Sequence, residues 1–378
     1  MDLEQRKWTQ GTGWEPVKCM LGQRAQLVLA FGSTAALQDL QHFQAITAAY
    51  PNAQLLGCST AGEICGTRIY DGSLVTTAMA FQSTKIKTAH VSIRESGESF
   101  QCGGQLAALL EPRDLVHVLV ISDGVRVNGS ELVRGILTKL PAGVQVTGGL
   151  SGDGERFART LVFSNNEPME GCIAAVGFYG NRLRIGYGSL GGWDPFGPER
   201  LITRSKENIL FELDGQPALA LYKQYLGEHA TGLPATGLLF PLNVRMNGNE
   251  REFVRTLLSV NEGAQSMTFA GDIPQGSYTR LIKANFDRLV DGAQGAAKTS
   301  YEAIGSTSPD LAILISCVGR KLVLKQRTEE ELEAVRSVLG PKTVMAGFYS
   351  YGEICPAAPR ANCELHNQTM TITTFSES

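Results

Sequence analysis

Charge is scarce in this chain. Asp, Glu, Lys and Arg make up 19% of its 378 residues, below the roughly 25% usual for soluble proteins. The net charge of −3 comes without basic blocks, so nothing favours nucleic acid or an anionic membrane as a partner. No apolar run approaches the roughly 18 residues of a membrane span. Residues 1–10 are polar and lack the apolar core of a secretory signal, so a cytoplasmic protein is expected. Histidine is rarer still, at five. No P-loop or nucleophile elbow is present: a turn of the form G-x-S-T-x-G stands where a P-loop would read GxxxxGK[ST]. A non-enzyme is therefore expected. The distant alternative, a cysteine-dependent hydrolase, would have to pair Cys58 with His366.

What the chain has instead is glycine and thiol. Many of the 42 glycines stand at the ends of apolar runs, where a turn needs positive φ or close backbone approach. The eight cysteines are Cys19, Cys58, Cys65, Cys102, Cys172, Cys317, Cys355 and Cys363. In a long cytoplasmic chain they read as buried thiols or ligands rather than disulfides. Cys172 and Cys317 sit inside apolar runs and are expected to be strand residues of the core.

Three of the glycine clusters end a predicted strand in nearly the same way. They are Gly57-Cys58-Ser59-Thr60-Ala61-Gly62-Glu63, Gly148-Gly149-Leu150-Ser151-Gly152-Asp153 and Gly347-Phe348-Tyr349-Ser350-Tyr351-Gly352-Glu353. Each follows an apolar run, a helical pattern and an earlier apolar run, so the strand–helix–strand unit is repeated by internal duplication. A turn of Gly, hydroxyl residues and one acid exposes N–H groups and side-chain oxygens together, as a ligand-binding turn does. Candidate ligand contacts are thus Cys58, Ser59, Thr60, Glu63, Ser350, Tyr351 and Glu353. Glu63 and Glu353 hold equivalent places. They would either bind a cationic ligand in a polar pocket between halves or accept hydrogen bonds from their own turns.

The first unit is predicted as a strand at 26–31, a helix at 34–50 and a strand at 55–56. A hairpin at 70–73 and a strand at 74–81 follow. The second has a strand at 116–121, a helix at 129–140, a strand at 144–146, and hairpin strands at 159–163 and 171–179. Residues 186–198 cross between halves. A strand at 209–213, a helix at 218–226 opened by Pro217 and closed by Gly227, and a meander at 237–244, 253–260 and 265–270 come next. A helix at 281–304 precedes the third unit, with a strand at 311–316, a helix at 328–339 and a strand at 343–345. The last strand is 368–375. Strands outnumber helices and many are hairpin-linked, which predicts a mixed α+β fold of stacked mixed or antiparallel sheets with helices on the outer faces. Two domains, 20–205 and 206–378, are the expected division.

Leu56-Gly57-Cys58-Ser59-Thr60-Ala61-Gly62-Glu63-Ile64 resembles the signature of the N-terminal half of FIST-domain proteins. Gly347-Phe348-Tyr349-Ser350-Tyr351-Gly352-Glu353-Ile354 resembles that of their C-terminal half. With no kinase, cyclase or F-box segment left over, the arrangement is similar to the stand-alone NosP-type FIST proteins. The segments 211–219 and 365–371 look NosP-like too. The resemblance implies a small-ligand sensor, and for the NosP type a haem protein that responds to nitric oxide and acts on a partner histidine kinase. The rival within the family is a sensor of a metabolite such as an amino acid; a homo-oligomer is left open.

Haem iron takes an imidazole, thiolate, thioether or phenolate. His42 lies in the first helix, His90 in a polar strand and His229 past a helix stop, and all three read as ordinary surface or edge residues. His117 alternates within an apolar strand and reads as a satisfied core histidine. His366 stands apart, because Cys355-x7-Cys363-x2-His366 puts two thiols and an imidazole within twelve residues. His366 alone would serve haem, and Cys355-Pro356 matches the short pattern of thiolate haem sites. A zinc or iron–sulfur site would add Cys58 or Cys317. Three half-buried residues in a turn is an equally good reading of this cluster.

Overall fold

Two apolar strands joined through a helix can lie side by side only in parallel, because the helix carries the chain back to the starting edge. The computed structural model describes residues 1–93, 98–247, 252–357 and 361–377, and it contains this unit three times. The strand pairs are Leu27–Gly32 with Gln54–Ser59, Leu115–Ser122 with Gln145–Leu150, and Leu311–Cys317 with Val344–Ser350, all parallel. In each second strand a glycine faces its neighbour's carbonyl. A Cβ would stand 2.0 Å from Ala30 O at Gly57, 1.8 Å from Val120 O at Gly148 and 1.8 Å from Leu314 O at Gly347. At Gly148 and Gly347 the φ of +151° and +156° also lies where L side chains are strained.

A return strand runs antiparallel beside the first strand of each pair: Leu74–Ala80, Cys172–Tyr179 and Met370–Glu377. Outside it lies the strand that opens the unit: Asp2–Thr9, Lys85–Ser92 and Leu183–Leu190. The opposite edge of every sheet is filled by another unit. After the first turn Glu63–Cys65 joins the third unit's sheet beside Val344–Ser350. After the third turn Gly352–Pro356 joins the second unit's sheet beside Gln145–Leu150. After the second turn Val162–Ser164 joins the first unit's sheet beside Gln54–Ser59. The exchange is cyclic.

This corrects the hairpin predicted at 159–163 and 171–179, whose strands lie in different sheets. The inner faces of the three sheets share one core. Leu29, Phe31 and Cys58 come from the first, Leu119, Ala174 and Phe178 from the second, and Ile313, Phe348 and Phe375 from the third. Phe31 and Phe348 have ring centroids 4.8 Å apart, and Phe178 and Phe375 5.3 Å. The helices cover the outer faces, as the mixed α+β reading expects.

Residues 193–284 are inserted into the third unit between its opening strand and its first helix. They form an eight-stranded antiparallel sheet with its own core around Ile202, Leu219, Tyr222 and Phe269. Its helix Ala218–Leu226 opens after Pro217 and closes at Gly227 as predicted. Two other helices start or break at unforeseen caps. Asp39 interrupts the first, giving Thr34–Gln38 and Leu40–Ala49, because its carboxylate accepts from Gln41 N at 3.0 Å. The helix predicted at 281–304 is the strand Tyr278–Ala284 followed by Phe286–Ala303, capped by Asn285. Val318–Leu324 is a helix that the sequence reading missed. No helix among the described residues is long and apolar enough to cross a membrane.

Candidate functional site

The three turns meet. Ala61 N donates to Tyr349 O and Tyr349 N to Gly62 O, both at 2.8 Å. Gly152 N donates to Ser59 O at 2.9 Å, and Tyr351 N to Leu150 O at 3.1 Å. Each turn is therefore held by the other two, as the strand exchange requires.

Two of the turns use the same carboxyl device. Glu63 Oε1 accepts from Thr60 Oγ1 at 2.5 Å, while its Oε2 accepts from Ser73 N at 3.1 Å and Ser73 Oγ at 2.6 Å. Glu353 Oε1 accepts from Ser350 Oγ at 2.7 Å, and its Oε2 from Thr369 N at 3.1 Å and Thr369 Oγ1 at 2.9 Å. Ser73 and Thr369 each stand just before a return strand, so both acids fasten the start of the exchanged strand to the start of the return. Burial pushes Glu63 up to about 7 and Glu353 up to about 8, against the lowering effect of those donors.

The second turn differs. Asp153 accepts from Ala158 N at 3.1 Å and Arg159 N at 2.9 Å, and the Tyr351 hydroxyl of the third turn donates to it. Cys58, Ser59, Thr60, Ser350 and Tyr351 are buried. Cys58 faces the shared core, and burial, then Glu63, pushes its thiol far up. His117 is the satisfied core histidine expected, with Nε2 2.9 Å from Thr147 Oγ1 and burial holding it down to about 3.

The C-terminal cysteines and histidine lie on the antiparallel pair Gly352–Pro356 and Cys363–His366, where Glu353 faces His366 and Pro356 faces Cys363. Both thiols are buried and pushed up, Cys355 by burial and Cys363 by burial and then Cys355. His366 Nε2 lies 2.9 Å from Cys355 O. Among the described residues no three His, Cys, Asp or Glu side chains gather as a metal site; residues 358–360 of the intervening loop lie outside them. Cys363 borders a cleft of about 770 Å³ with Tyr187 and Asn362, a cleft that His366 does not line. Here the two thiols are held protonated and the imidazole is turned to a backbone carbonyl.

A second large cleft, about 750 Å³, opens beside the three turns. The segment just after the second turn contributes Glu155, Arg156 and Phe157. The unforeseen helix and its end contribute Lys321, Leu322 and Lys325, and the inserted region Pro234, Ala235, Thr236, Leu238, Leu239, Leu257 and Leu258. Phe157 stacks on Tyr351 with centroids 4.2 Å apart and planes at 15°. Lys321 Nζ donates to Ala61 O at 2.9 Å and pairs with the exposed Asp71. A Cβ on Gly62 would stand 2.7 Å from that ammonium. The first turn thus meets the cleft through Lys321, the third through Phe157 stacked on Tyr351, and the segment after the second lines it directly. Sequence reasoning missed the cleft residues. The available signal was Gly319-Arg320-Lys321 directly after an apolar strand, the strand-to-helix crossing where α/β proteins collect ligands.

The FIST N domain model matches residues 26–216 and the FIST C domain model residues 218–356. An uncharacterized protein of Methanocaldococcus jannaschii is 25% identical over 350 residues, which cover 84% of this chain. The chain spans 65% of the length of that relative. The crystal structure of cyanuric acid hydrolase from A. caulinodans aligns with 93% of this chain and 90% of its own at 10% identity. The TM-score of 0.36 is too low to carry an argument.

Proposed function

Because the chain belongs to the FIST family, whose domains are signalling sensor domains, we propose that the 750 Å³ cleft receives the small molecule it senses. The observation that carries this reading is the cleft's membership. The segment following the second turn, a side chain bonded to the first turn and two segments of the inserted region all border one space. A ligand there touches both the three-unit body and the inserted sheet, so occupancy biases their packing, which is what a signal needs. The volume suits a metabolite-sized compound.

The test is a thermal-shift screen of amino acids, carboxylates and nucleobases against the wild type and Ala235→Trp, which fills the cleft. A compound at 100 times its Kd stabilises by about 2.7 kcal/mol, and Ala235→Trp should cancel that gain. Equal stabilisation of both proteins by every active compound would sink the reading. Haem reconstitution is the parallel arm. A Soret band lost in His366→Ala and kept in His42→Ala would move sensing to the Gly352–His366 ladder, with nitric oxide as signal and a histidine kinase as receiver.

A further inference from the structure

The chain carries a net charge of −3, yet the cleft reverses that sign. Arg156, Lys321 and Lys325 border it against one acid, Glu155. Facing them are Phe157, Leu238, Leu239, Leu257, Leu258 and Leu322. A cationic rim over an apolar wall selects a ligand with two ends. Resting on the reading of this cleft as the sensed ligand's site, we infer that the ligand is a small organic anion with an apolar body. Its anionic group sits between Lys321 and Lys325, and it takes Lys321 from Asp71.

Lys325 supports this independently. Its backbone has φ 52° and ψ −114°, and the chain's other helix ending in the same conformation, φ 57° and ψ −125°, has glycine there, at Gly227. A lysine in that region is strained, and strain of this kind persists where a side chain is needed. Among the described residues no carboxylate pairs with Lys325. Lys321 is the movable partner. Its bond to Ala61 O ties it to the first turn, whereas Asp71 is 74% exposed. Asp71 lies on the turn that carries the chain from Arg68–Tyr70 in the third unit's sheet to Leu74–Ala80 in the first, so the hairpin expected at 70–73 does not form. An ion pair at so exposed a site is weak and easily exchanged. An arriving anion therefore frees that turn, which couples occupancy to a surface change.

The probes are 1-anilinonaphthalene-8-sulfonate and its uncharged counterpart N-phenyl-1-naphthylamine, two fluorophores that share one apolar body. Titrated into the whole chain, the sulfonate should bind at least tenfold tighter than the neutral compound. Lys325→Gly relieves the strain and so keeps the fold; it should cut the preference several-fold, and adding Lys321→Gln should erase it. Asp71→Asn, which releases Lys321, should tighten the sulfonate several-fold and leave the neutral compound unchanged. Equal binding of the two probes, both lost in Ala235→Trp, would overturn the anionic ligand and leave the cleft reading standing. Binding that Ala235→Trp does not alter, or no binding of either probe, would overturn both. A sulfonate preference that survives the double lysine variant would also refute the assignment.

Discussion

Glu63 and Glu353 should make this protein less stable as the solution turns from acid to neutral. Both are buried, and their folded-state pKa values of about 7 and about 8 stand above the ordinary 4.5. Below pH 4.5 the folded and unfolded chains both hold these protons. As pH rises past 4.5 the unfolded chain releases them and the folded chain does not, so stability falls. The fall ends near pH 7 for Glu63 and near pH 8 for Glu353, where the folded carboxyls also ionise. At about 1.4 kcal/mol per decade of proton affinity, the loss is roughly 3 kcal/mol for Glu63 and roughly 5 kcal/mol for Glu353, as upper figures. Glutamine keeps the acceptor for Ser73 N or Thr369 N and turns its amide toward the turn hydroxyl, which can accept. Glu63→Gln and Glu353→Gln should therefore match the wild type near pH 5 and exceed it by a few kcal/mol at pH 8.5. Urea denaturation followed by circular dichroism at pH 5, 6, 7, 8 and 8.5 measures this. Parallel wild-type and double-variant profiles, or a wild type that gains stability through this window, would refute the assignment.

Three further outcomes are expected. Arg320 and Glu331 form a fully buried ion pair, with Arg320 also donating to Gly191 O and Leu289 O. Arg320→Met alone should cost about 3–5 kcal/mol, and Arg320→Met with Glu331→Leu should recover most of it in urea melts. Gly347→Ala should cost at least about 3 kcal/mol or prevent folding, because its Cβ would meet Leu314 O at 1.8 Å; soluble expression and a thermal melt report this. Lys325→Gly should stabilise the fold by about 1 kcal/mol, the strain relieved less the entropy of glycine, read as a higher urea midpoint.

The turns were legible in the sequence because their cause is local. Glycine is forced where a second strand presses on a neighbour's carbonyl, so Gly57, Gly148 and Gly347 announce three units without any tertiary information. The parallel strands were legible for the same reason, as short apolar runs ended by those glycines. The exchange was not. Glu63–Cys65 is three residues long, too short for periodicity. Val162–Ser164 was expected within a strand at 159–163, but its partner lies in an earlier unit, and that of Glu63–Cys65 hundreds of residues away. The opening strands Asp2–Thr9 and Lys85–Ser92 were missed because one or both faces are half-exposed and polar. The cleft lysines were missed because the helix Val318–Leu324 is brief and follows its strand without a side-chain cap. The ladder of Cys355, Cys363 and His366 was found as a cluster in sequence, but strand pairing turns the imidazole to a carbonyl.

The cyclic strand exchange also governs the order in which this protein can be made. The first sheet waits for Val162–Ser164, the third for its own late strands although Glu63–Cys65 is made early, and the second for Gly352–Pro356. During synthesis, at about 5–20 residues per second, the second sheet waits with an unfilled edge from Tyr179 until Gly352–Pro356 is made, on the order of ten to thirty seconds. Open edges of that kind invite pairing between neighbouring chains on one message. Ribosome-associated chaperones should therefore hold this nascent chain until Gly352–Pro356 has emerged, and a stall before residue 352 should yield aggregate rather than a folded fragment.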